Sequence, residues 1–119
     1  MSPLKRSRPV RIRIRFRVEI RDSRRQFDAQ ARDVSIDGLC LSSPILMTVG
    51  ERAGTSLHVP GHPAIPLSFE VRWARPEGPQ SYLLGVEFVH SSETRKALQK
   101  LMWQIESGEI QGTDSRSAS

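Results

Sequence analysis

Residues 11–21 alternate between charged and apolar side chains without a break. The apolar positions are Ile12, Ile14, Phe16, Val18 and Ile20, and arginine or glutamate occupies every position between them. In an extended strand successive side chains point to opposite faces, so a period of two gives one apolar and one charged face. This segment is therefore predicted to be a β-strand with one face in a hydrophobic core and one basic face outside.

Further short segments carry apolar residues, separated by turns rich in glycine, proline and polar residues. They are residues 27–34, 39–41, 55–59, 65–74 and 82–89. In residues 65–74 the expected common face carries Leu67, Phe69, Val71 and Trp73. Five or six short strands joined by such turns predict a mainly β fold, a small antiparallel barrel or sandwich.

After residue 90 the pattern becomes that of an amphipathic helix. Ser91 is a suitable N-cap, and Gly108 is predicted to end the helix. The apolar side chains at helical spacing are Ala97, Leu98, Leu101, Met102 and Ile105. The helix is expected to pack over one end of the barrel. The chain is thus predicted to be one domain at residues 11–107, between a flexible basic lead at residues 1–10 and a disordered tail at residues 108–119.

Composition favours a cytoplasmic protein without a membrane span. The hydrophobic content is 37%, and no apolar run approaches the roughly 20 residues that a spanning helix needs. The single cysteine, Cys40, excludes an internal disulfide and fits a reducing compartment. Because Cys40 lies between Leu39 and Leu41, it is expected to be a buried structural thiol rather than a nucleophile.

The sequence offers no support for catalysis, a metal or a cofactor. His58 and His62 are separated by Pro60 and Gly61 and cannot share a helix face, so a zinc site is not expected. Ser35 lies in no nucleophile-elbow motif, and neither a Walker loop nor a dinucleotide fingerprint occurs. The protein is therefore predicted not to be an enzyme.

Positive charge is concentrated in the N-terminal part of the chain. Residues 1–25 hold ten Lys and Arg against two acids, whereas the remaining residues have a net charge of −3. This asymmetry predicts an anionic partner, with nucleic acid, phospholipid and a nucleotide all open. Arg13, Arg15 and Arg17 are expected to form a solvated strand face, because they lie within the predicted strand. Arg6, Arg8 and Arg11 precede it or stand at its entrance, and they are the better candidates for binding phosphate or guanine.

Residues 33–38 form the polar turn of a predicted hairpin. The Asp33 carboxylate can accept two N–H groups, Ser35 adds a short donor and acceptor, and Gly38 allows a positive φ or a close approach. Taken alone, these six residues favour an ordinary β-turn. Pairing of the first two strands, however, would place Arg11 beside Asp33 at one end of the barrel.

These features together resemble the PilZ domain family over roughly residues 5–106. Residues 33–39 fit its D-x-S-x-x-G motif, residues 84–88 (Leu-Gly-Val-Glu-Phe) fit its last strand, and residues 49–51 (Val-Gly-Glu) fit the segment before a middle strand. The resemblance implies a six-stranded antiparallel barrel with a C-terminal helix. It also implies a bacterial receptor for cyclic di-GMP without catalytic activity, in which an R-x-x-x-R motif on the lead and D-x-S-x-x-G clasp a ligand that is often an intercalated dimer.

The first of these motifs is incomplete here, because Ser7 stands four residues before Arg11. Arg6 and Arg8 flank that position and are expected to substitute. The expected ligand-binding residues are Arg6, Arg8, Arg11, Asp33, Ser35 and Gly38, with Trp73 and Arg75 as additional stacking residues. A downstream protein partner is expected.

Two alternatives remain. One is a PilZ-like adaptor that binds protein and no nucleotide. The other is a general nucleic-acid binder, which the lack of exposed interleaved aromatics on the basic strand disfavours.

Overall fold

The six predicted strands form a closed antiparallel barrel. The computed structural model describes residues 10–109. The strands are β1 (Ile12–Arg21), β2 (Gln26–Val34), β3 (Gly38–Ser43), β4 (Arg52–His58), β5 (Ile65–Gly78) and β6 (Ser81–Val89). Their order around the barrel is β1-β2-β3-β6-β5-β4, and β1 pairs with both β2 and β4 to close it. Of the two architectures that the pattern allowed, the barrel is the correct one.

The alternation in β1 places its apolar face inside the barrel, as predicted. Phe16, Val18 and Ile20 are fully buried, while Arg13, Arg15 and Arg17 on the other face are exposed. Phe69 of β5 and Leu84 of β6 join the same core. Removal of these large apolar side chains from water is the main force that stabilises the barrel.

The C-terminal helix α1 spans Ser92–Glu106 and packs against β5. Ser91 caps it: the Ser91 hydroxyl accepts from the Thr94 N–H and the Thr94 hydroxyl accepts from the Ser91 N–H. Leu98, Leu101 and Met102 are buried, and Gly108 follows the helix with a φ of 85°. Within residues 10–109, no helix is long and apolar enough to cross a membrane.

Two sequence-based expectations about side-chain direction were wrong. A β-bulge between Val71 and Trp73 inserts Arg72 as an extra residue in β5, so Trp73 turns outward and is 41% exposed. Cys40 is only half-buried, because it pairs with Asp33 of β2 and Gly85 of β6 on the outer face.

The β5–β6 connection is also tighter than expected. The predicted strand segments 65–74 and 82–89 left seven residues between them, but Gly78 still pairs with Ser81, so Pro79 and Gln80 alone form the turn. The Glu77 carboxylate holds this hairpin end by accepting hydrogen bonds from Arg32, Ser42 and Ser81.

Candidate functional site

The turn between β2 and β3 is held by the side chain and backbone of Ser35. The Ser35 N–H donates to the Gly38 carbonyl at 2.8 Å, and the Ser35 hydroxyl accepts from the N–H groups of Asp37 and Gly38 at 3.2 Å each. The Phe88 N–H of β6 donates to the Asp37 carbonyl at 2.7 Å. Ser35 is almost wholly buried, so in this structure its hydroxyl stabilises the turn.

Gly38 is required by the close approach of β6. A Cβ at this position would lie 2.0 Å from the Val86 carbonyl oxygen, which no real side chain tolerates. The described glycines with positive φ are Gly50, Gly61 and Gly108, so the left-handed conformation is not the reason for Gly38. Of the two explanations offered by the sequence, close approach is the correct one.

Arg11 and Asp33 form an ion pair at the end of the β1–β2 hairpin. Ile12 pairs with Val34 and Arg13 with Asp33, which brings the start of β1 beside the end of β2. The Arg11 side chain is 54% exposed and that of Asp33 is 26% exposed. The two groups are therefore neighbours, as the hairpin register predicted, and remain accessible to a ligand.

A surface cavity of about 510 Å³ lies beside this ion pair. Its lining includes Arg11, Ser35, Asp37, Gly38, Arg72, Trp73 and Glu87. Sequence reasoning missed Asp37, Arg72 and Glu87. A β-bulge turns Arg72 and Trp73 toward the same face. The local alternation of apolar and polar residues does not predict this bulge. Asp37, in contrast, stood within the motif and was passed over because the motif does not name that position.

Trp73 and Gly85 together form a flat aromatic wall of the cavity. A Cβ on Gly85 would lie 2.1 Å from the indole Nε1, so only glycine lets the ring lie against β6. The guanidinium carbon of Arg75 lies 5.2 Å from the centre of the Trp73 ring, within the range of a cation–π contact. The arrangement provides one planar aromatic surface in the cavity that Arg11 also lines, and one planar cation over that aromatic ring.

The profile of the PilZ domain family matches residues 5–104. The chain belongs to the PilZ domain family. No curated protein matches it. Among solved structures, YcgR from Escherichia coli in complex with c-di-GMP is 15% identical with a TM-score of 0.74, over 89% of this chain and 48% of that one.

Two further solved structures show the same fold. The isolated PilZ domain of E. coli YcgR with c-di-GMP is 14% identical with a TM-score of 0.73, over 87% of this chain and 94% of that one. The K. pneumonia MrkH–c-di-GMP complex is 12% identical with a TM-score of 0.74, over 89% and 55% of the two chains. Our chain spans about half the length of the larger proteins.

The other arginines of this PilZ domain have different surroundings. Arg17 pairs with Asp28 at 3.3 Å. Arg13 and Arg15 line a second cavity of about 490 Å³, and no ion pair involves them within residues 10–109. Arg6 and Arg8, which the sequence placed in the site, lie outside the described residues.

Cys40 lines the second cavity with Asp33. Burial raises the pKa of the Cys40 thiol, and the Asp33 carboxylate raises it further. An uncharged thiol is a poor nucleophile. No cluster of three potential metal-ligating side chains occurs in the described part of the chain.

Proposed function

We propose that this PilZ domain is a non-catalytic receptor for cyclic di-GMP. The observation that carries the proposal is the cavity that Arg11 and the exposed Trp73 ring line together, with Asp33 bound to Arg11 in an ion pair and lining the second cavity. The E. coli YcgR and K. pneumonia MrkH structures with c-di-GMP have the same fold, which supports this ligand over other anions.

The chemistry of the cavity suits a molecule with two phosphates and two guanines. The Arg11 guanidinium can bind a phosphate or the O6 and N7 edge of guanine, and the Asp33 carboxylate can accept guanine N–H groups. Trp73 and Arg75 offer stacking surfaces for a base. Ser35 and Gly38 act indirectly, because they keep the turn in place at the cavity floor.

The lead completes the proposed site. Arg6 and Arg8 flank Ser7, which occupies the place of the first arginine of R-x-x-x-R. We infer that either arginine reaches the ligand and that binding orders the lead, at an entropic cost that lowers affinity. An ordered lead then presents a changed surface to a downstream protein. The additional arginines also suit a ligand bound as an intercalated dimer.

One observation favours a second function. Trp103 of α1 is 59% exposed on the outside of the fold, and Ser7 stands where the first arginine of R-x-x-x-R is expected. A PilZ adaptor that binds protein without nucleotide would have these features.

Isothermal calorimetry of the full chain with cyclic di-GMP, GTP and single-stranded DNA separates these functions. We expect saturable binding of cyclic di-GMP and much weaker binding of the other two. Equal binding of single-stranded DNA would indicate a general nucleic-acid binder. A folded protein that binds none of the three would support the adaptor function instead.

A further inference from the structure

Val10 and Arg11, at the junction of the lead and β1, line two different cavities. Arg11 lines the cavity of the proposed nucleotide site, whereas the preceding residue, Val10, lines a different groove beside α1. Two adjacent residues of the β2–β3 turn also line different cavities: Asp37 lines the cavity of the proposed nucleotide site, and Ile36 lines the groove. Both surfaces therefore adjoin the point from which the lead departs.

The groove is apolar and open. It has a volume of about 320 Å³, and its apolar walls are Val10, Ile36, Met102 and Trp103, with Arg95, Gln99 and Glu106 at the rim. Val10 is 61% exposed and Trp103 is 59% exposed. Exposed apolar side chains that converge on one groove mark an interaction surface.

The turn that forms one wall is held firmly. The His90 Nε2 lies 2.6 Å from the Ile36 carbonyl oxygen, and the His90 Nδ1 lies 3.1 Å from the Thr94 hydroxyl in the first turn of α1. The His90 ring also packs edge-on against Phe88. His90 thus joins the wall of the groove to the start of the helix that forms the opposite wall, which keeps the groove open.

We propose that the lead of the same chain docks in this groove through Leu4 when no nucleotide is bound, and that cyclic di-GMP withdraws it. The second half rests on the proposed function. Leu4 lies six residues before Val10, and six extended residues span up to about 20 Å. This reach is close to the roughly 22 Å length of a fifteen-residue helix such as α1.

The composition of the lead fits the groove. Leu4 supplies a large apolar side chain for the contact with Met102 and Trp103. Lys5 and Arg6, which follow Leu4, are positive, and the rim carries one carboxylate, Glu106, and one guanidinium, Arg95, so the charge contact of the lead is with Glu106. Since the same short segment cannot occupy the groove and clasp the nucleotide together, the two positions exclude each other. The apparent nucleotide affinity is then the intrinsic affinity multiplied by the fraction of protein molecules whose lead is undocked.

A spin label tests docking without any nucleotide. The label is placed through Ser2→Cys in a Cys40→Ser background, and broadening of the two indole N–H signals is compared by NMR. We expect stronger broadening of Trp103 than of Trp73, and loss of that difference on Leu4→Ser. Equal broadening of the two indoles, or a difference that survives Leu4→Ser, would overturn the proposal. If the broadening of the Trp103 signal depends on protein concentration and not on Leu4, a second copy of the chain occupies the groove. That result would also overturn the proposal.

Calorimetry tests the coupling. Leu4→Ser is expected to raise cyclic di-GMP affinity about two- to fivefold, which corresponds to a resting lead that is half to four-fifths docked. Leu46→Ser is the matched control, because Leu46 is 54% exposed on the β3–β4 loop, away from both cavities. Unchanged affinity in Leu4→Ser would refute the withdrawal. If NMR shows docking and calorimetry shows no nucleotide binding, the docked position of the lead is supported and only the proposed function is refuted.

Discussion

The guanidinium of Arg11 and the carboxylate of Asp33 join the entrance of β1 to the end of β2, and Arg11 also lines the cavity of the proposed nucleotide site. Both groups are partly exposed, and exposed ion pairs contribute only about 0–1 kcal/mol to stability. The pair is therefore free to reorganise around a ligand without much loss of fold stability. Substitutions here should separate binding from folding.

Asp33→Ala should weaken cyclic di-GMP binding about tenfold to a hundredfold, because it removes a charge-assisted contact worth about 1.5–3 kcal/mol. Calorimetry measures the loss, and a urea titration should show a nearly unchanged free energy of unfolding. Asp28→Ala is the matched control, since it removes the same charge from the same strand at an exposed position. Equal losses in both variants would remove Asp33 from the site.

Arg11→Ala should lower affinity at least as much as Asp33→Ala. Arg17→Ala is the matched control: its side chain is 52% exposed and also pairs with an aspartate of β2, but lies away from the cavity. The control should act only through long-range attraction, which salt screens. Titrations at two salt concentrations distinguish the cases. A larger effect of Arg15→Ala or Arg17→Ala would place the site on the outer face of β1.

Trp73→Ala should reduce cyclic di-GMP affinity by about 1–3 kcal/mol, the usual contribution of stacking a base on an aromatic ring. Trp73→Phe keeps a planar ring and should retain most of the affinity. Calorimetry on both variants checks the role of the ring. If Trp73→Ala and Trp73→Phe bind cyclic di-GMP with the same affinity, the indole does not stack on the ligand.

Gly38→Ala should destabilise the fold by about 1–3 kcal/mol, the usual cost of overpacking, because the added methyl group meets the Val86 carbonyl of β6. Gly78→Ala is the control, since a Cβ there meets no atom within 4 Å. Urea unfolding compares the two. Equal stability would mean that β6 can move away from the turn, and Gly38 would then act on the ligand directly.

Cys40 should react slowly with iodoacetamide at neutral pH, with its rate profile shifted to higher pH than that of free cysteine. The raised pKa of the Cys40 thiol, caused first by burial and then by Asp33, keeps the reactive thiolate scarce. Asp33→Ala should move the profile to lower pH, because Arg11 and Arg32 remain nearby and favour the thiolate. Arg11→Ala should move it to higher pH. If Asp33→Ala and Arg11→Ala moved the pH profile of the Cys40 reaction in the same direction, this electrostatic explanation would be wrong.

The sequence by itself determined the β-strand pattern, the buried face of β1, the capped helix and the turn motif. Each of these depends on neighbours within a few residues, such as the alternation from Ile12 to Ile20 or the cap at Ser91. The proximity of Arg11 and Asp33 also followed from the sequence, because a short hairpin sets its own register.

Only the tertiary structure decided the direction of Trp73, the exposure of Cys40 and the reason for Gly38. A bulge reverses the faces of a strand after one extra residue, and its position in β5 is set by pairing with β6. Gly38 is required by a carbonyl that lies 48 residues later in the chain. Likewise Val10, Ile36 and Trp103 form one groove only once barrel and helix have packed. Local periodicity reports the two faces of a single element, whereas these features arise where separate elements meet.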